Sequence, residues 1–284
     1  MIYGNVVLIT GASSGIGKSI AQALMEKGYR VYGTSRKPQT GNNRILSKSS
    51  GNNAYVEIIQ LDVRSEDSVK KAIDYVMKKE GHIDILINNA GYGIAGSVED
   101  TTAEEAFEQF DTNFFGVIRV CRNVIPIMRR NNRENGKNKN GLIINISSVA
   151  GIIPIPFQSM YSASKFALES MSEALRIELE PFGIKVVIAE PGDTSTGFTD
   201  NRQFVKGANE SSIYKEKFFK SVNTMIKDER NGPGPETVAR TILKIIDKKN
   251  PPVRITVGAG YKLVVFIKRL IPSKLLHYIL SKLY

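Results

Sequence analysis

The chain has 284 residues, 42% of them hydrophobic, enough for one large α/β domain or two small ones with a well-buried core. Its formal net charge of +11 raises nucleic acid as a partner, but the Lys and Arg residues are spread along the sequence without a nucleic-acid-binding motif, so that class is excluded. A single cysteine, Cys121, rules out an intramolecular disulfide and reads as a small buried hydrophobe in a reducing compartment. "NVVLIT" follows Met1 too closely for a basic leader and apolar core, and no run of 18 apolar residues occurs; a cytoplasmic protein is expected.

Taken in chain order, seven short β-branched runs predict strands: "VVLIT", "RVYGTS", "AYVEIIQL", "IDILIN", "GLIINIS", "KVVIAE" and "VRITVG". Between most of them apolar residues recur at helical spacing, over 15–28, 65–80, 101–130, 159–181 and 235–248. Such alternation implies right-handed βαβ units, hence an α/β fold with a doubly wound parallel sheet of about seven strands and helices on both faces. The near-continuous apolar strands agree with burial on both sides. Residues 37–53 and 131–141 are polar, Asn- and Gly-rich, and read as exposed loops. A longer insertion, 193–234, ends in "NGPGP" and carries Phe204, Phe218, Phe219 and Met225 on helical pieces; it reads as a lid.

"TGASSGIG", residues 10–17, follows the first strand and opens the first helix, the context that a dinucleotide-binding turn requires. Gly11 permits a sharp turn, Gly15 lets backbone approach a pyrophosphate, and Gly17 allows close helix packing. Phosphates would then meet unpaired amides at a helix N-terminus. Tyr161 and Lys165 of "YSASK" lie one turn apart near the start of a later helix, so a lysine ammonium can support a tyrosine phenolate. That is the pairing a carbonyl reductase needs in its proton donor. No Cys, His, Asp or Glu cluster has metal-ligand spacing, and no metal is expected.

The glycine spacing resembles the TGxxxGxG of the short-chain dehydrogenase/reductase family. "NNAG" at 88–91, Asn113 within a helix, "NISSVAG" after the fifth strand, "YSASK", and "PG" at 191–192 match that family in type, order and spacing over about residues 5–200. The resemblance implies a Rossmann fold over 1–260 and hydride transfer between a nicotinamide and a carbonyl or alcohol. By it, Ser148 polarises the substrate oxygen, Tyr161 is the acid/base, Lys165 also reaches the nicotinamide ribose, and Asn113 positions a water linking the lysine to solvent. It places Ser13, Ser14 and Ile16 with the three glycines on the cofactor. It further places Asp62 with Val63, and Asn89, Ala90 and Gly91, on the adenine side. Pro191 and Gly192 are also placed on the cofactor, and Thr194 and Thr196 approach the carboxamide. The end of the second strand, "GTSRKP", has no acid; Arg36 with Ser35 favours NADP(H) over NAD(H) through a charge-assisted contact with the 2′-phosphate.

Ile153, Pro154 and Phe157 run from Ser148 toward Tyr161 and, with the lid phenylalanines, suggest an apolar, steroid-, retinoid- or lipid-like substrate. "IPFQSMYSASKFALES" resembles the hydroxysteroid and retinoid branch. The tail 261–284 holds Lys262, Lys268, Arg269, Lys274 and Lys282 without an acid, and places Leu275, Leu276, Ile279, Leu280 and Leu283 on one side of a helix. It reads as a basic amphipathic extension that packs on its own domain or a second subunit, with peripheral attachment to an anionic membrane as the alternative. A homodimer through the helices around 112–130 and 159–181 is expected by analogy with the family. Isomerase, epimerase or dehydratase chemistry on the same fold, and a non-enzymatic cofactor-binding regulator, are the competing functions.

Overall fold

The computed structural model describes residues 1–37, 44–48, 53–134 and 141–284, with side chains described outside 44–48 and 131–134. The chain runs through β1 (Val6–Ile9), α1 (Gly15–Glu26), β2 (Arg30–Ser35), β3 (Arg44–Lys48), β4 (Tyr55–Gln60), α2 (Glu66–Glu80) and β5 (Ile85–Asn88). It continues through β6 (Ile94–Ala95), α3 (Ala103–Phe110), a π-helical turn (Asp111–Phe115), α4 (Gly116–Glu134), β7 (Leu142–Ile146), α5 (Ser159–Leu179) and β8 (Lys185–Pro191). The last third holds β9 (Gln203–Phe204), α6 (Lys215–Asn231), α7 (Glu236–Ile246), β10 (Arg254–Val257), α8 (Ala259–Lys268) and α9 (Ser273–Leu283).

All seven expected strands form one sheet in the order β10, β8, β7, β5, β1, β2, β4, and every pairing among them is parallel. Strand alternation then assigns the two faces. Val7 and Ile9 point to α1 and α7, where Ile20, Leu24, Ile242 and Ile245 cover them, whereas Val6 and Leu8 face α2, α4 and α5 through Val69, Ile73, Val120 and Leu168. Each of these fully buried aliphatic side chains contributes about 1.5–3 kcal/mol. The order reverses at β1, whose neighbours are β5 and β2, so the loops leaving β1 and β5 part at their carboxyl ends and leave a crevice there. Those two loops are "TGASSGIG" and "NNAG".

Helix boundaries follow local chemistry. Ser65 caps α2 by accepting from Ser68 N, with Glu66 and Asp67 in the first turn, and Gly81 ends it in the left-handed region. Thr102 and Glu105 form a capping box on α3.

Three expectations change. The polar stretch 37–53 contains an edge strand, β3, antiparallel to β4 with an irregularity between Ile45 and Ser47; the other positions of the stretch beyond Lys37 and before Asn53 lie outside the described residues. The helix expected over 101–130 is α3 and α4 joined by a π turn, and α4 continues to Glu134, into the expected loop; 135–140 lie outside the described residues. Phe204 sits on β9, paired with β6, and not on a helix. That pairing anchors the start of 193–234 to the loop after β5.

Candidate active site

The Gly-rich turn closes against the end of β5. Asn89 Nδ2 donates to the Thr10 and Gly11 carbonyls at 3.0 and 2.8 Å, and the amides of Asn89 and Ala90 donate to Thr10 Oγ1. Gly11 and Gly15 have φ of +67° and +54°. A Cβ at Gly17 would fall 2.3 Å from the Gly11 oxygen and 2.5 Å from Asn89 Nδ2, so no larger residue closes this turn. Ser14, the N-cap of α1, makes no side-chain capping bond, which leaves the first-turn amides to an outside acceptor. A cradle that a Cβ would fill, opening a twelve-residue helix, suits a phosphate-bearing group. Ser13 is exposed on the turn, and Ile16 packs partly into the core below it.

The adenine-side candidates converge as well. Arg36 is exposed just past Ser35, the last residue of β2. The Asp62 carboxyl is held below the usual range by hydrogen bonds from Arg64 at 2.9 and 3.1 Å, with Arg36 adding to the effect. Val63 is buried against Gly116, and Gly91 lies against Asn113. Beyond β8, whose last residue is Pro191, Thr194 Oγ1 donates to the Gly192 carbonyl at 2.9 Å, and Thr196 stands over Gly15. Arg64 joins the cluster without having been singled out in the sequence; its signal was only its place two residues after Asp62.

At the carboxyl end of β7, Ser148 starts a 3-10 turn by accepting from Ala150 N at 3.1 Å and hydrogen-bonds the Tyr161 hydroxyl. Tyr161, Ser164 and Lys165 are buried on the first turns of α5. Lys165 Nζ donates to the Ile146 carbonyl at 2.8 Å and lies 5.8 Å from the Tyr161 ring centroid. Burial pushes the Tyr161 hydroxyl up to about 12, opposed by the Ser148 hydrogen bond, and burial brings Lys165 down to about 8, opposed by Glu169. Asn113, in the π turn, is clamped to the Tyr92 backbone at 2.9 and 3.1 Å and reaches Ser164 Oγ at 3.3 Å, so it meets α5 one residue before Lys165. Ser147 turns away from this group, toward Gly151 and the buried Glu169.

The pocket-lining expectations are partly corrected. Phe157, with φ of 61°, packs on Tyr214 and Phe218, and Phe218 contacts Phe204 and Phe219; these rings build a small core within 193–234 because aromatic faces bury best against one another. Pro154 is exposed, and Ile153 is buried with Ile152 under the tail helices, against Val265, Leu276 and Leu280. The ring that does meet Tyr161 is Phe198, at 5.6 Å. Arg202, Glu229 and Asp193 also act electrostatically on Tyr161. None of these four carried a local sequence signal, since they reach the tyrosine only through the folding of 193–234. Tyr261 of α8 hydrogen-bonds Asp193 and packs against Gly192.

A family model described as short chain dehydrogenase matches residues 5–204. The chain belongs to the short-chain dehydrogenase family. Over 281 residues it is 44% identical to a 3-ketodihydrosphingosine reductase of Bacteroides thetaiotaomicron, covering 98% of this chain and 97% of the relative. It is 31% identical to retinol dehydrogenase 8 of Bos taurus, over 94% of this chain and 86% of that protein. A short-chain dehydrogenase structure from Streptomyces avermitilis superposes with a TM-score of 0.75 at 31% identity, covering 93% of this chain and 92% of the other. Two more distant structures, from Burkholderia phymatum with NAD and Burkholderia cenocepacia with NADP, share the fold at TM-scores of 0.77 and 0.72 with 24% and 23% identity. This short-chain dehydrogenase is therefore an oxidoreductase on a nicotinamide-binding Rossmann fold that acts on a small molecule. Among the described residues no helix is long and apolar enough to cross a membrane.

Proposed function

We propose that this chain is an NADP(H)-dependent carbonyl reductase or alcohol dehydrogenase for a largely apolar, lipid-like substrate. The observation that carries the reading is the buried pair Tyr161 and Lys165, with the half-buried Ser148 beside it, at the crevice next to the Gly-rich turn. The nicotinamide, when bound, supplies or accepts the hydride. Tyr161 gives a proton to the substrate oxygen, or takes it back in the oxidative direction, and Ser148 donates a hydrogen bond to the same oxygen. Lys165 supports the phenolate and the cofactor ribose. Asn113, held to the Tyr92 backbone and reaching Ser164, positions the water beside Lys165.

The cofactor would rest on Gly11, Ser13 to Gly17, Asn89 to Gly91, Asp62 with Val63, and Pro191 to Thr196. Arg36 and Arg64 both act on Asp62, so two guanidinium groups face one carboxylate where the adenosine ribose belongs. That excess of positive charge supports the phosphorylated cofactor. Arg36→Ala is expected to raise the KM for NADPH about 10–100-fold, from the loss of a charge-assisted contact, and to leave that for NADH within a few-fold. Steady-state rates with both cofactors on a long-chain ketone check this, and equal or better rates with NADH in the unaltered enzyme would sink the preference.

An apolar substrate is supported by relatives named for a sphingoid ketone and a retinol. Residues 193–234 are its lid, and the tail is part of the same reading. One side of α8 and α9 covers Ile152 and Ile153, while Phe266, Leu270, Leu275, Tyr278 and Leu283 stay exposed. These lie among the five cations of a segment that has no acid, a composition suited to an anionic lipid surface. Flotation with vesicles containing phosphatidylglycerol is expected to carry the full chain but not one ending at residue 260, and equal flotation of the two would rule the contact out. A homodimer through α4 and α5 is supported by the exposed Phe115, just before α4, and Phe166 and Ile177 of α5, and light scattering checks it.

A further inference from the structure

Arg202 stands just before β9 with its side chain 1% exposed. Most of the guanidinium is occupied. With its carboxamide oxygen turned toward the arginine, Gln158 accepts from Nε at 3.0 Å and Nη2 at 3.1 Å, and Glu229 forms an ion pair with Nη2. Glu229 is itself held by Thr199 Oγ1 at 2.6 Å. Nη1, with two N–H groups, is buried and has no hydrogen-bond partner among the described residues. An unpaired buried donor costs about 1–3 kcal/mol, which a bound acceptor would recover.

The packing of this side chain places it near Tyr161. The Arg202 Cζ lies 6.0 Å from the centroid of Phe198, and the Phe198 ring is the one that packs 5.6 Å from Tyr161. Gln158 lies three residues before Tyr161, at the N-cap of α5. Arg202 thus borders the place where a substrate presents its carbonyl to the tyrosine.

We infer that Arg202 Nη1 is a substrate-binding donor that holds an oxygen on the head group beyond the reacting carbonyl. The charge around it narrows the class. The charge of Arg202 is already met by Glu229, so an anionic head would be buried there without a counter-charge of its own, whereas a neutral hydroxyl needs only the donor. The preferred substrate is a long-chain ketone with a hydroxyl-bearing, non-anionic head. This assignment rests on the reductase reading above and deepens it.

The test compares three ketones of equal chain length: a plain methyl ketone, its hydroxymethyl counterpart and a keto acid. The unaltered enzyme is expected to favour the hydroxymethyl ketone in kcat/KM by about 10–100-fold over the plain one, the range for a hydroxyl meeting a donor otherwise unpaired, and to use the keto acid worst. In Arg202→Lys, which keeps the charge for Glu229 but removes Nη1, the ratio of the first two falls to near one. A purely structural arginine would slow both ketones together and leave the ratio unchanged, which would overturn the assignment. Should that variant fold poorly by circular dichroism, the unaltered enzyme decides alone: turnover of hydroxymethyl and plain ketones at equal kcat/KM overturns the donor role while leaving the reductase reading intact. Turnover of no ketone overturns both.

Discussion

Tyr161→Phe is expected to lower kcat by about 10²–10⁴-fold, the range for removing a positioned general acid, while cofactor affinity stays within a few-fold. The substitution deletes one oxygen and little else. The ring keeps its contacts with Phe198 at 5.6 Å and with Lys165 at 5.8 Å, and the main lost interaction is the hydrogen bond to Ser148. Stability should therefore fall by no more than about 1–2 kcal/mol, visible as a small shift in thermal midpoint. No second acid replaces it: Ser148 is an ordinary neutral hydroxyl that can hydrogen-bond the oxygen but not protonate it, and Lys165 Nζ is bound to the Ile146 carbonyl.

The pH response of the unaltered enzyme follows from the same pair. Burial drives Tyr161 up to about 12 and Lys165 down to about 8, so each charged form is disfavoured alone, and an ammonium beside a phenolate stabilises both. Alcohol oxidation, which needs the phenolate, should rise with pH, and ketone reduction, which needs the protonated hydroxyl, should fall. Near-normal turnover of the phenylalanine variant, followed by nicotinamide absorbance, would refute the assignment.

Gly17→Ala is expected to cost at least about 1–3 kcal/mol of stability through overpacking and to weaken cofactor binding by about 100-fold or more, the scale of a lost helix-terminus phosphate site. The added Cβ would stand 2.3 Å from a backbone oxygen of Gly11, and 2.5 Å from the Asn89 amide that ties the turn to the end of β5. The first neighbour is backbone and the second is a side-chain amide tied to the Thr10 and Gly11 carbonyls, so the turn itself must open. Gly15→Ala makes an informative contrast. Its nearest neighbour, Thr196 Cβ, is 3.5 Å away, so that substitution strains only a φ of +54°, at about 1–2 kcal/mol. Thermal unfolding with a fluorescence titration of NADPH separates the two, and an alanine at 17 that binds cofactor normally would show that the closed turn is not required.

The sheet, the Gly-rich turn and "YSASK" could be read without a structure because their information is local. A strand buried on both faces must be a short apolar run, the turn must have glycines where φ is positive or a Cβ has no room, and a tyrosine and lysine four residues apart share a helix face whatever surrounds them. Cys121 was likewise readable as a buried hydrophobe. What lies around Tyr161 was not. Phe198, Arg202 and Glu229 come from an insertion with no repeating pattern, and Arg202 and Glu229 are 27 positions apart. β3 was hidden because its polar residues become a strand only when the free edge of β4 offers hydrogen bonds. In the tail the amphipathic stripe was plain, but periodicity cannot say which part of a wide apolar stripe is covered. Leu276 and Leu280 turn inward onto Ile152 and Ile153, while Leu275, Ile279 and Leu283 remain outside, a division set by where α8 and α9 meet the 3-10 turn after Ser148. The sequence alone determined the strands, the Gly-rich turn and the tyrosine–lysine pair, since each depends on neighbours within a few residues. Tertiary structure decided what surrounds Tyr161, because that depends on which distant segments burial brings together.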